Sequence, residues 1–85
     1  MTVNVRFFAS LRQAAGCESV DLAAKKVGEA IAGLKRHFND NPEFLKLLKI
    51  SNCILNGNNV AFLKGTRTPL SDGDQLALFP PLGGG

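Results

Sequence analysis

The sequence has no tryptophan and no tyrosine, and its 85 residues include only one histidine and two cysteines. Without Trp or Tyr, base stacking would depend on phenylalanine alone, and no nucleic-acid-binding motif is present. Cys17 and Cys53 are too few and too far apart for a zinc site, so we expect reduced thiols and no bound metal. His37 has no partner arrangement for catalysis. The side chains therefore predict neither a metalloprotein nor a nucleic-acid-binding protein.

Long apolar runs are also missing from the sequence. No stretch approaches the roughly 18 apolar residues that a membrane-spanning helix needs. The N-terminus alternates apolar and polar residues from Val3 onward, which is unlike a signal peptide. The sequence thus predicts one small cytoplasmic domain with no membrane partner. Its net charge of +3 would favour an acidic partner.

The apolar pattern predicts an α+β domain over residues 1–81. Period-two alternation or short apolar runs indicate five strands, at residues 2–8, 18–22, 52–55, 60–63 and 75–79. Asn56 and Gly57 predict a tight turn between the third and fourth of them. The resulting order, β-β-α-β-β-β, predicts a sheet of four or five short strands that packs on one main helix.

The main helix is predicted from a stripe of apolar residues at helical spacing, namely Val27, Ala30, Ile31, Leu34 and Phe38. Gly28 and Gly33 each weaken such a helix by roughly 1 kcal/mol relative to Ala, and Gly33 is expected to allow close approach to the sheet. Two shorter helical segments are predicted at residues 11–15, where Ser10 is the expected cap, and at residues 43–49.

The strand alternation also places two phenylalanines on the far side of the sheet. If Val3, Val5 and Phe7 face the helix, then Phe8 points away from it. By the same alternation Phe79 also faces away, since Leu76 and Leu78 of the last strand face the helix. Because one helix covers only one face, we expect an exposed apolar patch that binds a partner protein.

The last residues of the sequence follow this patch directly. Pro80 and Pro81 restrict the backbone and are expected to hold an extended exit from the last strand. Leu82, Gly83, Gly84 and Gly85 then predict a flexible C-terminal tail over residues 82–85. A glycine backbone can enter a channel too narrow for any side chain, so a partner docked on the patch could receive Gly85.

Two stretches carry a resemblance to a known family, residues 5–12 (VRFFASLR) and residues 69–85 (PLSDGDQLALFPPLGGG). With the helix and strands between them, the sequence resembles the small subunit of molybdopterin synthase. These MoaD-type sulfur carriers share the ubiquitin-like β-grasp fold with the ThiS-type carriers of thiamine synthesis. The most specific part of the resemblance is the Phe-Pro-Pro that precedes the terminal glycines.

The resemblance implies a sulfur carrier that is not an enzyme by itself. An adenylating enzyme of the MoeB type, related to ubiquitin activators, would use ATP to activate the carboxylate of Gly85, and sulfur would replace AMP to give a thiocarboxylate. The large synthase subunit, of the MoaE type, would take in Gly84 and Gly85 and transfer the sulfur to cyclic pyranopterin monophosphate. Phe8 and Phe79 match the positions that dock these partners. No cofactor bound to the chain is implied.

Three alternatives remain open at this stage. The chain could be a ThiS-like carrier for another sulfur pathway, although thiamine carriers are typically shorter and lack the helical segment at residues 43–49. It could be a ubiquitin-like modifier joined to lysines through Gly85, since its apolar face and Gly-Gly ending would look the same. It could also be an interaction domain whose tail is inert.

Overall fold

The secondary structure alternates between strands and short helices along the chain. The computed structural model describes residues 2–81, and Met1 and residues 82–85 lie outside the described part. The strands are β1 (Thr2–Phe7), β2 (Ser19–Ala23), β3 (Asn52–Leu55), β4 (Asn58–Asn59) and β5 (Gln75–Phe79). The α-helices are α1 (Ala9–Ala15), α2 (Val27–His37) and α3 (Pro42–Ile50), and 3-10 helices span Val60–Phe62 and Gly65–Arg67.

The strands form one mixed sheet in the order β2-β1-β5-β3-β4. The central strands β1 and β5 run parallel, and the other neighbouring pairs are antiparallel. The N-terminal and C-terminal strands thus lie side by side in the middle, as in a ubiquitin-like β-grasp. The predicted α+β fold class is confirmed, with five strands in the sheet.

One face of the sheet forms the hydrophobic core with the helices. Val3, Val5 and Phe7 of β1 and Leu76 and Leu78 of β5 are at most 1% exposed. The register places Val5 beside Leu76 and Phe7 beside Leu78, so the inward side chains form rows across the strands. From α2 and its C-cap residue Phe38, the predicted stripe supplies four buried residues, Val27, Ala30, Leu34 and Phe38, while Ile31 packs at the margin of the core.

Three aromatic rings close one end of the core. Phe44 of α3 stacks on Phe38 with ring centroids 3.9 Å apart, and Phe7 meets both rings edge-on at 5.3 and 5.7 Å. Edge-to-face and offset-stacked geometries are the favourable arrangements for such rings. This cluster joins β1 to the end of α2 and to α3, and it explains why the helical segment predicted at residues 43–49 is a full helix.

The turn at Asn56 and Gly57 is confirmed, but the strand predicted at residues 60–63 is wrong. Asn56 has φ 47° and Gly57 has φ 92°, the positive values that a type I′ hairpin turn requires. The returning strand β4 is only two residues long, because the side chain of Asn59 accepts a hydrogen bond from the backbone N–H of Ala61 (2.9 Å) and starts a 3-10 helix. Val60 is buried in that helix, whereas Phe62 is 87% exposed.

The predicted capping role of Ser10 is also wrong. The backbone N–H of Phe8 bonds the carbonyl of Leu78 (3.2 Å), so the chain stays on the sheet through Phe8. The helix α1 then begins at once at Ala9, with Phe8 at the N-cap position and no side-chain cap. Ser10 therefore lies inside the first turn. Gly16 ends the helix with φ 74°, a left-handed conformation that favours glycine.

Candidate functional site

The face of the sheet that points away from α2, called here the outer face, has a polar end and an apolar end. At the polar end, Asn4 donates a side-chain hydrogen bond to Asp21 (3.0 Å), and Gln75 is the β5 neighbour of Asn4. One row further along, the register places Arg6 beside Ala77 and Ala77 beside Ile54. Ala77 and Ile54 are half-buried, so the apolar end begins at this row.

Phe8 and Phe79 complete the apolar end and stack on each other. Their ring centroids are 4.4 Å apart and their planes differ by 12°. Phe8 is half-buried and Phe79 is 38% exposed. The guanidinium carbon of Arg6 lies 5.6 Å from the centroid of the Phe8 ring, within cation–π distance. We call the set Phe8, Ile54, Ala77 and Phe79 the docking surface.

Local backbone geometry explains why Phe8 reaches this position. Phe8 retains an extended conformation, with φ −130° and ψ 155°, after β1 has ended at Phe7. Its side chain therefore follows the alternation of β1 and falls on the outer face. Phe79 is the last residue of β5 and lies beside Asn52 of β3. The structure thus brings together two aromatic residues that are 71 positions apart in the sequence.

The chain leaves the sheet next to this aromatic pair. Pro80 and Pro81 follow β5 directly, with Pro80 half-buried and Pro81 exposed. The other predicted site residues, Leu82, Gly83, Gly84 and Gly85, lie outside the described residues. The described part of the site is therefore the aromatic pair and the proline exit, and the partner-binding and sulfur-carrying roles of these residues stay predictions.

Sequence reasoning missed two residues of the apolar end, Ile54 and Arg6. The signal for Ile54 was present, because Cys53 and Leu55 alternate with it and face the core. Arg6 lies between Val5 and Phe7 and is therefore on the outer face by the same rule. Its position over the Phe8 ring depends on side-chain geometry that alternation does not provide.

The two carboxylates in the turn that precedes β5 accept hydrogen bonds from the backbone. Asp72 accepts a hydrogen bond from the backbone N–H of Thr2 (2.8 Å), and Asp74 accepts one from the backbone N–H of Ser71 (2.7 Å). These contacts hold the turn around Gly73 against the start of β1. Within residues 2–81 there is no group of three or more His, Cys, Asp or Glu side chains that could hold a metal ion. Nor does any helix of that range have the length and apolarity needed to cross a bilayer.

Comparison with known proteins places this geometry in a family. The ThiS family pattern matches residues 5–85. The chain is 30% identical over 92 aligned positions to small archaeal modifier protein 3 of Haloferax volcanii, and the alignment covers all of both proteins. Its fold also matches the solution structure of small archaeal modifier protein 1 from Methanosarcina acetivorans, with a TM-score of 0.84, 30% identity, and coverage of 99% of this chain and 96% of the other.

A second kind of relative is part of an assembly. The chain matches, over the full length of both, a chain in the protein–protein complex of subunits 1 and 2 of the molybdopterin-converting factor from Helicobacter pylori, with 28% identity and a TM-score of 0.69. The relatives thus include both modifiers and a molybdopterin-converting factor. From the family match and this full-length similarity, the chain belongs to the ThiS family and is a ubiquitin-like protein of the ThiS/MoaD type, the class of small sulfur carriers and protein modifiers.

Proposed function

We propose that this protein is the sulfur carrier of a molybdopterin synthase. In this role the carboxylate of Gly85 attacks the α-phosphate of ATP in a MoeB-type adenylating enzyme, which gives an acyl-adenylate and releases pyrophosphate. A sulfur donor then displaces AMP and leaves a thiocarboxylate. Inside the MoaE-type large subunit the thiocarboxylate sulfur attacks cyclic pyranopterin monophosphate, and hydrolysis of the resulting thioester returns the Gly85 carboxylate.

The observation that supports this proposal most is the stacked pair of Phe8 and Phe79 beside the proline exit. A partner that covers the two rings would lie next to Pro80 and Pro81, where the chain leaves the sheet. Four further residues span up to roughly 13 Å when extended, which is about the depth of an active-site channel. Partner binding and delivery of Gly85 would thus use one continuous part of the molecule.

The proposed chemistry needs no catalytic side chain and no cofactor on this chain. A carboxylate is a poor electrophile until a good leaving group such as AMP is attached, and the thiocarboxylate formed afterwards is a good nucleophile. Both properties belong to the backbone terminus. The protein would therefore act as the non-catalytic sulfur-donor subunit, while ATP is bound and used by the activating enzyme.

A second candidate function is a ubiquitin-like modifier. The similarity to two small archaeal modifier proteins, each 30% identical to this chain, favours it. The first step would be the same adenylation of Gly85. The activated carbonyl would then be attacked by a lysine amine to form an isopeptide bond with release of AMP. The two functions differ in the atom that displaces AMP from the terminal carbonyl carbon. In the carrier this atom is sulfur, and in the modifier it is a lysine nitrogen.

Intact mass spectrometry of the protein co-expressed with its activating enzyme tests the proposal. We expect replacement of one oxygen by one sulfur at the C-terminus, and then conversion of cyclic pyranopterin monophosphate to molybdopterin when the large subunit is added. The matched controls are deletion of residues 82–85, which removes the whole glycine ending, and addition of one alanine after Gly85, and both should abolish the mass change without unfolding the domain.

Each other result has a distinct meaning. A thiocarboxylate without molybdopterin formation would indicate a carrier for another sulfur pathway, such as thiamine synthesis. Lysine conjugates that form without a thiocarboxylate would indicate the modifier. If neither the thiocarboxylate nor conjugates form, the carrier role of Gly85 is wrong.

A further inference from the structure

A groove on the helix side of the sheet is separate from the docking surface. It encloses about 650 Å³ and lies between α2, α3, the first residues of β3 and the 3-10 helix Val60–Phe62. Its apolar walls come from Val27, Ile31, Leu45, Leu48 and Val60. This volume is within the range of sites that hold a ligand or a short peptide segment. The proposed sulfur chemistry does not use this groove.

The charges that line the groove are all of one sign. Lys35 of α2 and Lys49 of α3 contribute to its lining, and no Asp or Glu among the described residues does. Within residues 2–81, neither lysine is within salt-bridge distance of a carboxylate. An occupant that combines apolar groups with carboxylates would bury the former and pair the latter with the two ammonium groups. The groove therefore favours an acidic and apolar occupant.

One wall of the groove is the incompletely paired edge of a strand. β4 pairs with β3 only at Ile54 and Leu55. Asn52 and Cys53 have a neighbouring strand on the β5 side only, and both line the groove. An unpaired strand edge is a template for the addition of another strand. The backbone at this edge thus favours an extended occupant over a helical one.

We propose that this groove binds an extended segment of a partner protein that has alternating apolar side chains and a carboxylate at each end. The backbone of the segment would add to β3 at Asn52 and Cys53, beyond the end of β4. Its apolar side chains would enter the groove between α2 and α3, and its carboxylates would pair with Lys35 and Lys49. Because the docking surface is on the other face of the sheet, both sites can be occupied at once.

The test uses a synthetic seven-residue peptide with the order glutamate, threonine, valine, threonine, isoleucine, threonine, glutamate. In an extended chain its valine, its isoleucine and both glutamates share one side, and a control peptide has lysine in place of both glutamates. Titration is followed by 1H–15N correlation spectra of the full-length protein. We expect shifts at Ile31, Lys49, Cys53 and Ala61, and none at Phe8.

Charge reversal then tests the role of the two lysines. Lys35→Glu and Lys49→Glu are each expected to weaken peptide binding by about fivefold, the order expected for the loss of an exposed ion pair and the gain of a repulsion. Lys46→Glu is the matched control, because Lys46 is exposed on the same helix as Lys49 but does not line the groove. It should leave the affinity within about twofold.

Three outcomes would overturn this proposal. The first is an absence of shifts at millimolar peptide, and the second is that shifts appear at β2, the other edge of the sheet, instead of at the groove. The third is non-specific attraction. It would be indicated if Lys46→Glu weakened binding as much as Lys49→Glu, or if the lysine-containing peptide bound as well as the glutamate peptide. All three leave the thiocarboxylate measurement on Gly85 unaffected, so failure here is distinguishable from failure of the sulfur-carrier proposal.

Discussion

At the scale of single residues, the two cysteines show how position changes the chemistry of one side chain. Cys17 is exposed, whereas Cys53 faces the core from β3. Burial raises the pKa of the Cys53 thiol from 9.0 to about 11, because the thiolate would lose its hydration. Since the thiolate is the nucleophile, Cys53 is expected to be unreactive at neutral pH.

Alkylation by iodoacetamide at pH 8 checks this expectation. The folded protein should take up one label, at Cys17, and the variant Cys17→Ser should take up none until it is unfolded in urea. Rapid labelling of Cys53 in folded Cys17→Ser would contradict the expected protection.

The raised pKa of Cys53 also affects the stability of the folded protein. The neutral thiol stabilises the folded state fully below pH 9, and this contribution is lost as the pH rises from 9 to 11.

A second residue, Asn41, connects two helices through one side chain. Its Oδ1 accepts a hydrogen bond from the backbone N–H of Phe44 (3.0 Å) and caps α3. Its Nδ2 donates to the carbonyl of Ala14 near the end of α1 (2.7 Å). Replacement by alanine removes both contacts and leaves a partly buried carbonyl with one partner fewer.

We therefore expect Asn41→Ala to lower the free energy of unfolding by about 1–2 kcal/mol, measured by urea denaturation. Asn39→Ala is the control, because Asn39 is exposed in the same loop and its side chain makes none of these bonds. It should change stability by less than about 0.5 kcal/mol. Equal losses in the two variants would mean that Asn41 does not act through its cap and its bond to α1.

At the scale of elements, the two glycines of α2 differ in a way that the sequence does not reveal. A Cβ on Gly33 would lie 3.5 Å from the nearest atom of Leu22, an ordinary contact distance, so the expected close approach at Gly33 is wrong. A Cβ on Gly28 would lie only 3.1 Å from the backbone carbonyl oxygen of Thr66. The close approach is therefore at Gly28, near the start of α2, and it is to the second 3-10 helix, Gly65–Arg67.

We expect Gly33→Ala to raise the free energy of unfolding by about 0.5–1 kcal/mol, because alanine is the better helix former and meets no obstacle. Gly28→Ala should gain less or lose stability, since the backbone of Thr66 must move to admit the new methyl group. Thermal and urea denaturation of the two variants provides the comparison. A larger gain for Gly28→Ala than for Gly33→Ala would contradict this account.

The elements that sequence reasoning located correctly are those with a complete pattern of their own. The alternation of β1 and β5, the stripe of α2 and the pair Asn56 and Gly57 all depend on neighbours within a few positions. The segment at residues 60–63 has an apolar composition typical of a strand. Its structure depends instead on the cap from Asn59 and on burial of Val60 alone, and tertiary packing then overrides strand propensity.

The candidate site likewise combines features that the local sequence pattern predicts with features that depend on tertiary packing. Alternation was enough to place Phe8 and Phe79 on the outer face. The 4.4 Å stacking of their rings and the position of Arg6 above Phe8 depend on how β1 and β5 align, which is a property of the assembled sheet. Alternation with Cys53 and Leu55 was enough to place Ile54 on the outer face, but its position beside Ala77 depends on the β3–β5 register.

At the scale of the whole molecule, the two faces of the sheet have different surroundings. The inner face is covered by helices, and its rim contains the groove with Lys35 and Lys49. The outer face has no helix over it in the described residues, and its apolar end lies where the chain exits through Pro80 and Pro81. Under the proposed function, a partner bound on the outer face would lie beside this exit and would not need to disturb the core.

Substitution of Phe79 tests whether the outer face acts in this way. Phe79→Asp places a charge in the docking surface, and loss of an aromatic hot-spot contact in an interface costs about 2 kcal/mol or more. We expect the affinity for the proposed partner, the large synthase subunit, to fall by at least about tenfold when measured by calorimetry. Because Phe79 is 38% exposed, the domain itself should stay folded.

The matched control is Phe62→Asp, since Phe62 is the same residue type, is 87% exposed and lies outside the docking surface. Its variant should bind the large subunit with unchanged affinity, which would show that the loss in Phe79→Asp does not arise from surface charge in general. The correlation spectrum of each variant should retain the dispersion of the native protein. If folded Phe79→Asp binds as tightly as Phe62→Asp, the stacked pair is not the docking surface, and the proposed delivery of Gly85 loses the observation that supports it most.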